Sequence, residues 1–254
     1  KFFNTEVLKT LSPQYSDFKS GFKVFILSLS LIFISVGLVN PKIGTQLKTV
    51  KREGVDIVFA IDVSKSMMAE DIAPSRLEKA KRLASEIINN LASDRVGIIA
   101  YAASAIPVLP ITTDYSTARM FLQSLNSDML SSQGTAVNQA INLSKDFYDD
   151  DNQTNRVLCI LSDGEDHEFS DQDVSQVIKN RGVTIISIGL GSIKGAPIPI
   201  KSRGVIESYK KNQEGDVVIT KLMPNLLKEL ANENDGFYIK GDQTEEVVQE
   251  IIFK

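Results

Sequence analysis

The chain has 254 residues, 43% of them hydrophobic and 24% charged, and it carries a formal net charge of −4 at pH 7. A chain of this length can bury one full-size core, and its slightly acidic balance argues against a nucleic-acid-binding surface. Cys159 is the only cysteine and His167 the only histidine. These counts exclude an intrachain disulfide and a cysteine metal cluster, and they argue against a zinc site or a Ser-His-Asp triad.

Near the N-terminus, residues 24–39 form an apolar run without a charged side chain. With the two residues before it, this run approaches the roughly 20 residues needed to cross a bilayer. A core helix would show a polar face and a signal peptide would be followed by a small-residue cleavage site, and this run has neither. We therefore predict a lead-in at 1–21, one transmembrane helix at 22–39 and a linker at 40–54. Within residues 1–54, four basic residues lie on each side of the apolar run, so charge does not predict its orientation.

Strands and helices are predicted to alternate from residue 55 onward. Residues 55–61 are apolar except for Asp56, which is typical of a strand buried on both faces of a parallel sheet. Further strands are predicted at 95–101, 106–111, 156–161, 183–190 and 236–239, and helices at 75–91, 113–125, 135–147, 171–180, 222–234 and 244–253. A segment rich in proline and glycine at about 196–219 predicts a hairpin excursion. The alternation predicts one α/β domain at 55–254, a doubly wound, mostly parallel sheet flanked by helices.

The first predicted strand of this domain is followed by a carboxylate and two hydroxyls at alternate positions, Asp62, Ser64 and Ser66. In a loop leaving the carboxyl end of a strand, these side chains can converge on one point. Carboxylate and hydroxyl oxygens suit a hard divalent cation such as Mg²⁺. On these residues alone, an equally good interpretation is that they cap the following helix.

Two other segments bring oxygen atoms to the same edge of the predicted sheet. Asp163 follows the strand at 156–161, and Thr135 offers a hydroxyl at a predicted helix start. Ligands of doubly wound folds bind where the strands end. We therefore predict one metal site that holds Mg²⁺, with Mn²⁺ or Ca²⁺ as alternatives, through Asp62, Ser64, Ser66, Thr135 and Asp163.

Three motifs, DVSKS at 62–66, GT at 134–135 and SDG at 162–164, resemble the parts of the metal-ion-dependent adhesion site of von Willebrand factor A domains. The segments GVDIVFAIDVSKSMMAEDIAPSRLEKAK and DRVGIIAYAASAIPVLPITTDYS also resemble the Bat (aerotolerance operon) group of bacterial inner-membrane proteins. The resemblance covers most of residues 40–240. Members of that group usually carry a further span on each side of this region, so we expect a longer protein.

The resemblance implies a Rossmann-like A domain that faces the periplasm and works beside sister Bat proteins and a MoxR-type AAA+ ATPase. It implies that Ser64, Ser66 and Thr135 would offer hydroxyls to the metal. Asp62 and Asp163 would act directly or through water. An acidic side chain of a partner protein would fill the vacant coordination position.

We therefore expect a metal-dependent protein-interaction module, with no enzymatic activity, nucleic-acid partner or small-molecule substrate. Residues around the site are predicted to form a partner-binding rim: Lys65, Met67, Met68, Glu165 and His167. The alternative is a Mg²⁺-dependent phosphotransferase-like enzyme that uses the Asp62 loop, as in the haloacid dehalogenase type. Those enzymes need a second aspartate two positions further on as general acid, and this chain has Ser64 there.

Overall fold

The computed structural model describes residues 17–39, 54–130, 136–148, 155–165, 182–202 and 204–253. It contains two compact units, Lys1–Val50 and Lys51–Lys254. In the first unit, helix α1 spans Asp17–Val39, so it begins earlier than the predicted start at residue 22. The part from Phe18 to Leu38 has a mean hydropathy of 2.1. By length and composition this helix can cross a membrane.

The second unit alternates strands and helices, as predicted. Its main elements are β1 (Val55–Asp62), α2 (Arg76–Asn89), β2 (Arg95–Tyr101), β3 (Ala105–Thr112), α3 (Tyr115–Ser124), α4 (Val137–Ser144), β4 (Asn155–Ser162) and β5 (Val183–Gly189). After an excursion, α5 (Pro224–Glu233), β10 (Tyr238–Lys240) and α6 (Thr244–Phe253) follow. Short 3-10 turns occupy Lys65–Met68 and Lys145–Phe147. The helix predicted at 171–180 lies outside the described residues.

The central sheet has the strand order β10-β5-β4-β1-β2-β3. All neighbouring strands are parallel except β2 and β3, which are antiparallel. This confirms the predicted doubly wound, mostly parallel sheet and its edge strand. The chain builds outward from β1 in one direction through β2 and β3, and then resumes on the other side of β1 with β4. The boundary between β1 and β4 is therefore the topological switch point, where ligands of such sheets bind.

Strand β1 lies in the middle of this sheet and is buried on both faces. Ile57, Phe59 and Ile61 contribute to one apolar core, which also contains side chains of α2, α3 and α6. Val58 and Ala60 point into a second core with side chains of α4 and α5. Because both faces are covered, β1 is held rigidly, and so is the direction in which the chain leaves it at Asp62.

The predicted excursion at about 196–219 forms four short strands. β6 (Ala196–Pro197) pairs with β9 (Ile219–Thr220), and β7 (Pro199–Ser202) pairs with β8 (Val205–Tyr209), both antiparallel. The β7–β8 pair is the predicted hairpin. It lies largely in solvent, since all five residues of β8 are exposed.

Candidate metal-binding site at the carboxyl ends of β1 and β4

Asp62, the last residue of β1, is completely buried. Its Oδ1 atom accepts a hydrogen bond from the backbone N–H of Ser64 at 2.9 Å. Its Oδ2 atom accepts one from the hydroxyl of Ser162, the last residue of β4, at 2.7 Å. The parallel pairing of β1 with β4 brings these two strand ends side by side. The carboxylate is thus fixed at the switch point of the sheet.

Ser64 and Ser66 lie close together in the loop that follows Asp62. Their Oγ atoms are 2.8 Å apart, and both residues are buried. The backbone N–H of Met67 donates to the Ser64 carbonyl at 3.1 Å and closes the 3-10 turn Lys65–Met68. The Ser64 side chain makes no capping hydrogen bond to this turn. The capping interpretation is therefore wrong for Ser64, and the two hydroxyls point to a common place.

Asp163 follows β4 and is also completely buried. Burial raises its pKa, while Arg76 and a hydrogen bond from the Ser66 hydroxyl oppose that rise. Burial also raises the pKa of Asp62 to about 7, and the charge of Asp163 adds to this effect. The two carboxylates therefore repel each other in a region from which water is excluded. Such a pair is favourable in its ionised form only when a positive charge balances it.

The oxygen atoms gathered here fit a hard divalent cation. Two carboxylates and two hydroxyls, from Asp62, Ser64, Ser66 and Asp163, come from two loops at one edge of the sheet. Within the described ranges, no three His, Cys, Asp or Glu side chains gather as a metal-binding group, so a site here depends on the hydroxyls. Oxygen-only ligands favour Mg²⁺, Mn²⁺ or Ca²⁺ over softer metals. The assignment of these residues as ligands stays a prediction.

Two predicted site residues, Thr135 and His167, lie outside the described residues. The chain resumes at Ala136, whose backbone N–H donates to the carbonyl of Ala102, just after β2, at 2.7 Å. This contact holds the start of α4 near the carboxyl end of β2, the strand next to β1. The role of Thr135 as a ligand and that of His167 in the rim both stay predictions.

The predicted rim is only partly accessible. Lys65 forms an ion pair with Asp128, and 34% of its side chain is exposed. Met68 is half-buried. Met67, in contrast, is completely buried and packs in the core beside α2, so its predicted place in an accessible rim is wrong. The cause is the 3-10 turn, in which consecutive side chains are rotated by about 120°, so that Met67 faces the core and Met68 lies nearer the surface.

Glu165, another predicted rim residue, lies on the far side of Asp163 and is half-buried. Its Oε1 atom accepts a hydrogen bond from the backbone N–H of Lys221 at 2.7 Å. Its own backbone N–H donates to Asp163 at 3.1 Å. Glu165 therefore connects the site to the segment after β9, and its carboxylate is partly engaged by the protein itself.

Arg76 is the site residue that the sequence did not reveal. Its guanidinium is completely buried and donates to Asp163 Oδ2 at 2.8 Å and, through two nitrogens, to both carboxylate oxygens of Asp71 at 2.8 Å. It also donates to the hydroxyl and the carbonyl of Thr220 in β9. Burial alone would raise the pKa of Asp71, but hydrogen bonds from Arg76 and from the Ser192 N–H lower it. Arg76 therefore fixes Asp163 and ties the site to the excursion.

One sequence signal could have indicated Arg76. It is the first residue of α2, where the helix dipole disfavours a positive charge. An arginine at that position needs a nearby acidic partner, and two are present, Asp71 and Asp163.

The buried charge of Asp62 gives a testable effect on stability. Asp62→Asn keeps an oxygen for the Ser64 N–H and removes one negative charge. In the wild type, a pKa raised from 3.8 to about 7 means that the ionisation of Asp62 lowers folded-state stability as the pH rises through that window. In the presence of chelator at about pH 8, we expect Asp62→Asn to raise the midpoint of thermal unfolding, followed by circular dichroism, by at least about 3 °C, or about 1 kcal/mol.

Asp128→Asn is the matched control, because its side chain is 82% exposed. It should change the unfolding midpoint by less than about 1 °C. A midpoint lowered by Asp62→Asn under the same conditions would contradict the account of two repelling buried carboxylates.

The chain is similar to proteins of a defined family. The von Willebrand factor type A domain family matches residues 57–165. The crystal structure of an aerotolerance-related membrane protein from Bacteroides fragilis is 36% identical, with a TM-score of 0.74, and the match covers 79% of this chain and 98% of that one. BatB from Bacteroides thetaiotaomicron is 37% identical, with a TM-score of 0.73 and the same coverage. An uncharacterized protein of Borreliella burgdorferi is 26% identical over 250 residues, 94% of this chain and 69% of that protein.

These similarities agree with the architecture and with the site. The family match begins in β1 and ends just after Asp163, so it contains all five residues predicted to bind the metal. The two Bacteroides structures match nearly over their whole length and share the fold of the second unit. The chain belongs to the family of Bat-type, aerotolerance-related membrane proteins that carry a von Willebrand factor type A domain.

Proposed function

We propose that this chain is a membrane-anchored docking protein whose A domain binds partner proteins through a divalent cation. Mg²⁺ is the proposed ion, with Mn²⁺ or Ca²⁺ as alternatives. Asp62, Ser64, Ser66 and Asp163, together with Thr135, would hold it. The observation that carries the proposal is the buried pair of carboxylates, with two touching hydroxyls, at the switch point of the sheet.

The residues present favour docking over catalysis. A dication held by few charged ligands keeps waters that a carboxylate from a partner can displace. Ser64, whose N–H donates to Asp62, stands two positions after it, where a phosphotransferase of the haloacid dehalogenase type needs a general acid. The buried carboxylate of Asp62 is engaged by Ser64 and Ser162 and is held as an acceptor rather than as a free nucleophile. These features support an interaction module without turnover.

Anchoring is proposed to come from α1. Its length and hydropathy suit a bilayer, and one 36% identical relative is described as a membrane protein. The family resemblance supports placement in the bacterial inner membrane with the A domain in the periplasm. Sister Bat-family proteins and a MoxR-type AAA+ ATPase are the proposed partners.

Removal of one ligand tests the metal site. The full chain in detergent micelles should bind one Mg²⁺ ion in a calorimetric titration. Asp62→Ala should weaken this binding by more than about 100-fold, because the effect of losing a ligand exceeds the 10–100-fold range seen for residues that only orient ligands. Asp128→Ala, an exposed neighbour of Lys65, should leave the affinity unchanged. Equal Mg²⁺ affinity in wild type and Asp62→Ala would refute the assignment.

The proposed orientation is tested by protease accessibility. A protease added to intact spheroplasts should digest residues 55–254, while a cytoplasmic marker protein stays intact. After lysis, both should be digested. Protection of the A domain in intact spheroplasts, lost on lysis, would place it on the cytoplasmic side and contradict the proposal.

A further inference from the structure

A groove opens beside the candidate metal site and is not explained by metal binding. One wall is the 3-10 turn with Lys65 and Met68, and the other is β7, with Pro199, Ile200 and Lys201, together with Ile198 and Lys210. Ser127 and Asp128 also line the groove. Its volume is about 470 Å³. We call the groove formed by these nine residues the side groove.

The side groove and the candidate metal site share the loop that follows Asp62, because Lys65 and Met68 of this loop line the groove. Lys65 lies between Ser64 and Ser66 in the chain, and consecutive Cα atoms are about 3.8 Å apart. An extended segment that starts at the metal site can therefore enter the groove within a few residues, since a strand advances about 3.3 Å per residue.

The charge of the groove is positive. Its lining contains three lysines from three different segments, Lys65, Lys201 and Lys210, and one carboxylate, Asp128, so it carries a net charge of +2. Lys65 pairs with Asp128 and Lys201 with Glu70, but all four side chains are at least one third exposed, and surface pairs of this kind contribute only about 0–1 kcal/mol and exchange readily. Among the described residues, no carboxylate lies within ion-pair distance of the Lys210 ammonium. The groove therefore attracts an acidic ligand.

The groove also has an apolar part. Ile198 is buried and forms part of its base, whereas 48% of Ile200 is exposed. Met68, half-buried on the opposite wall, has a flexible side chain that can adapt to a ligand. Lysines together with these apolar side chains fit a segment that carries both acidic and aliphatic residues.

Arg76 holds the far wall of the groove in a fixed relation to the metal site. The same guanidinium contacts Asp163 and Thr220 in β9. Strand β9 pairs with β6, with Thr220 opposite Ala196, and β6 leads directly to Ile198 and β7. The Lys210 N–H donates to the Ile198 carbonyl at 2.9 Å, which fastens the end of the hairpin to the same wall.

We infer that the side groove is the second half of the docking surface, and that it binds an extended acidic and aliphatic segment of the partner protein, next to the acidic residue that reaches the metal. This inference rests on the proposed function. Different partners could all present an acidic residue to the metal, and the excursion of this chain would then select among them. An acidic residue alone would dock weakly, and the groove contacts would decide which segment is retained.

The experiment uses the full chain in detergent micelles and a defined probe. The probe is a fluorescein-labelled nine-residue peptide that begins with Glu and alternates Glu with Leu. Fluorescence anisotropy measures its affinity in Mg²⁺ and in EDTA. The test variant is Lys210→Glu, and the control is Lys211→Glu, which makes the same change of charge at the next, exposed residue outside the groove.

In Mg²⁺, we expect Lys210→Glu to weaken binding of the probe at least tenfold and Lys211→Glu less than twofold. EDTA should also weaken binding to the wild type. If EDTA weakens binding while the two variants behave alike, the groove inference is overturned and the metal-dependent function stands. If Lys210→Glu weakens binding and EDTA has no effect, the groove stands and the metal-dependent function fails. Failure of the probe to bind the wild type would overturn the groove inference.

Discussion

Two carboxylates, Asp62 and Asp163, are buried at the ends of adjacent parallel strands, and the rest of the site is organised by their charge. With the side chains of Asp71, which is 6% exposed, and Arg76, which is completely buried, the cluster has three carboxylates and one guanidinium, so its net charge is −2 when all groups are ionised. An interior of low polarity tolerates such an excess poorly. A divalent cation would balance it, and the nearby hydroxyls of Ser64 and Ser66 supply neutral oxygens without adding charge.

Asp62 and Asp163 differ in the groups that hold them, and this difference suggests different roles. Arg76 holds Asp163 and Asp71, whereas Asp62 is held by a backbone N–H and by Ser162. Asp62 is therefore the carboxylate with no cationic contact among the described residues. This makes it the main charged candidate for direct contact with the ion. Asp163, already engaged by Arg76, suits a weaker or water-mediated contact.

The position of this cluster suits the proposed docking function, because the strand that carries it is rigid. β1 is packed on both faces, and the loop that follows it closes at once into a 3-10 turn. The part of the site formed by Asp62, Ser64 and Ser66 is therefore expected to need little rearrangement when a ligand arrives, which limits the entropy cost of binding. The excursion that carries β6 to β9 is attached to the same cluster through the contacts of Arg76 with Thr220. Under the proposed function, substitutions at its exposed residues would change partner choice without disturbing the predicted metal ligands.

Much of this arrangement could be predicted from local pattern. The apolar run of β1 indicated a buried strand, and the polar residues after it indicated a site at its carboxyl end. Both features could be recognised because each depends only on residues that are close together in the sequence. Arg76 was missed because its partners, Asp163 and Thr220, are 87 and 144 positions away and only the tertiary fold joins them. Met67 was wrongly predicted to lie in the accessible rim, because the sequence of the loop does not reveal the 3-10 turn that directs its side chain into the core. The start of α1 was predicted too late because the prediction followed the apolar run, whereas the helix begins in the polar residues before it, at Asp17.

The central claim, that partners are held through the metal site, is tested most directly by co-purification. The tagged full chain would be isolated from its native membranes in Mg²⁺ or in EDTA, as wild type, as Thr135→Ala and as Thr113→Ala, an exposed threonine outside the site. We predict that the same partner proteins accompany the wild type and Thr113→Ala in Mg²⁺, and that EDTA and Thr135→Ala each reduce them at least tenfold while membrane insertion is unchanged. Partners that stay bound through both treatments, or hydrolysis of ATP or a phosphoester that depends on Mg²⁺ and Asp62, would contradict the account.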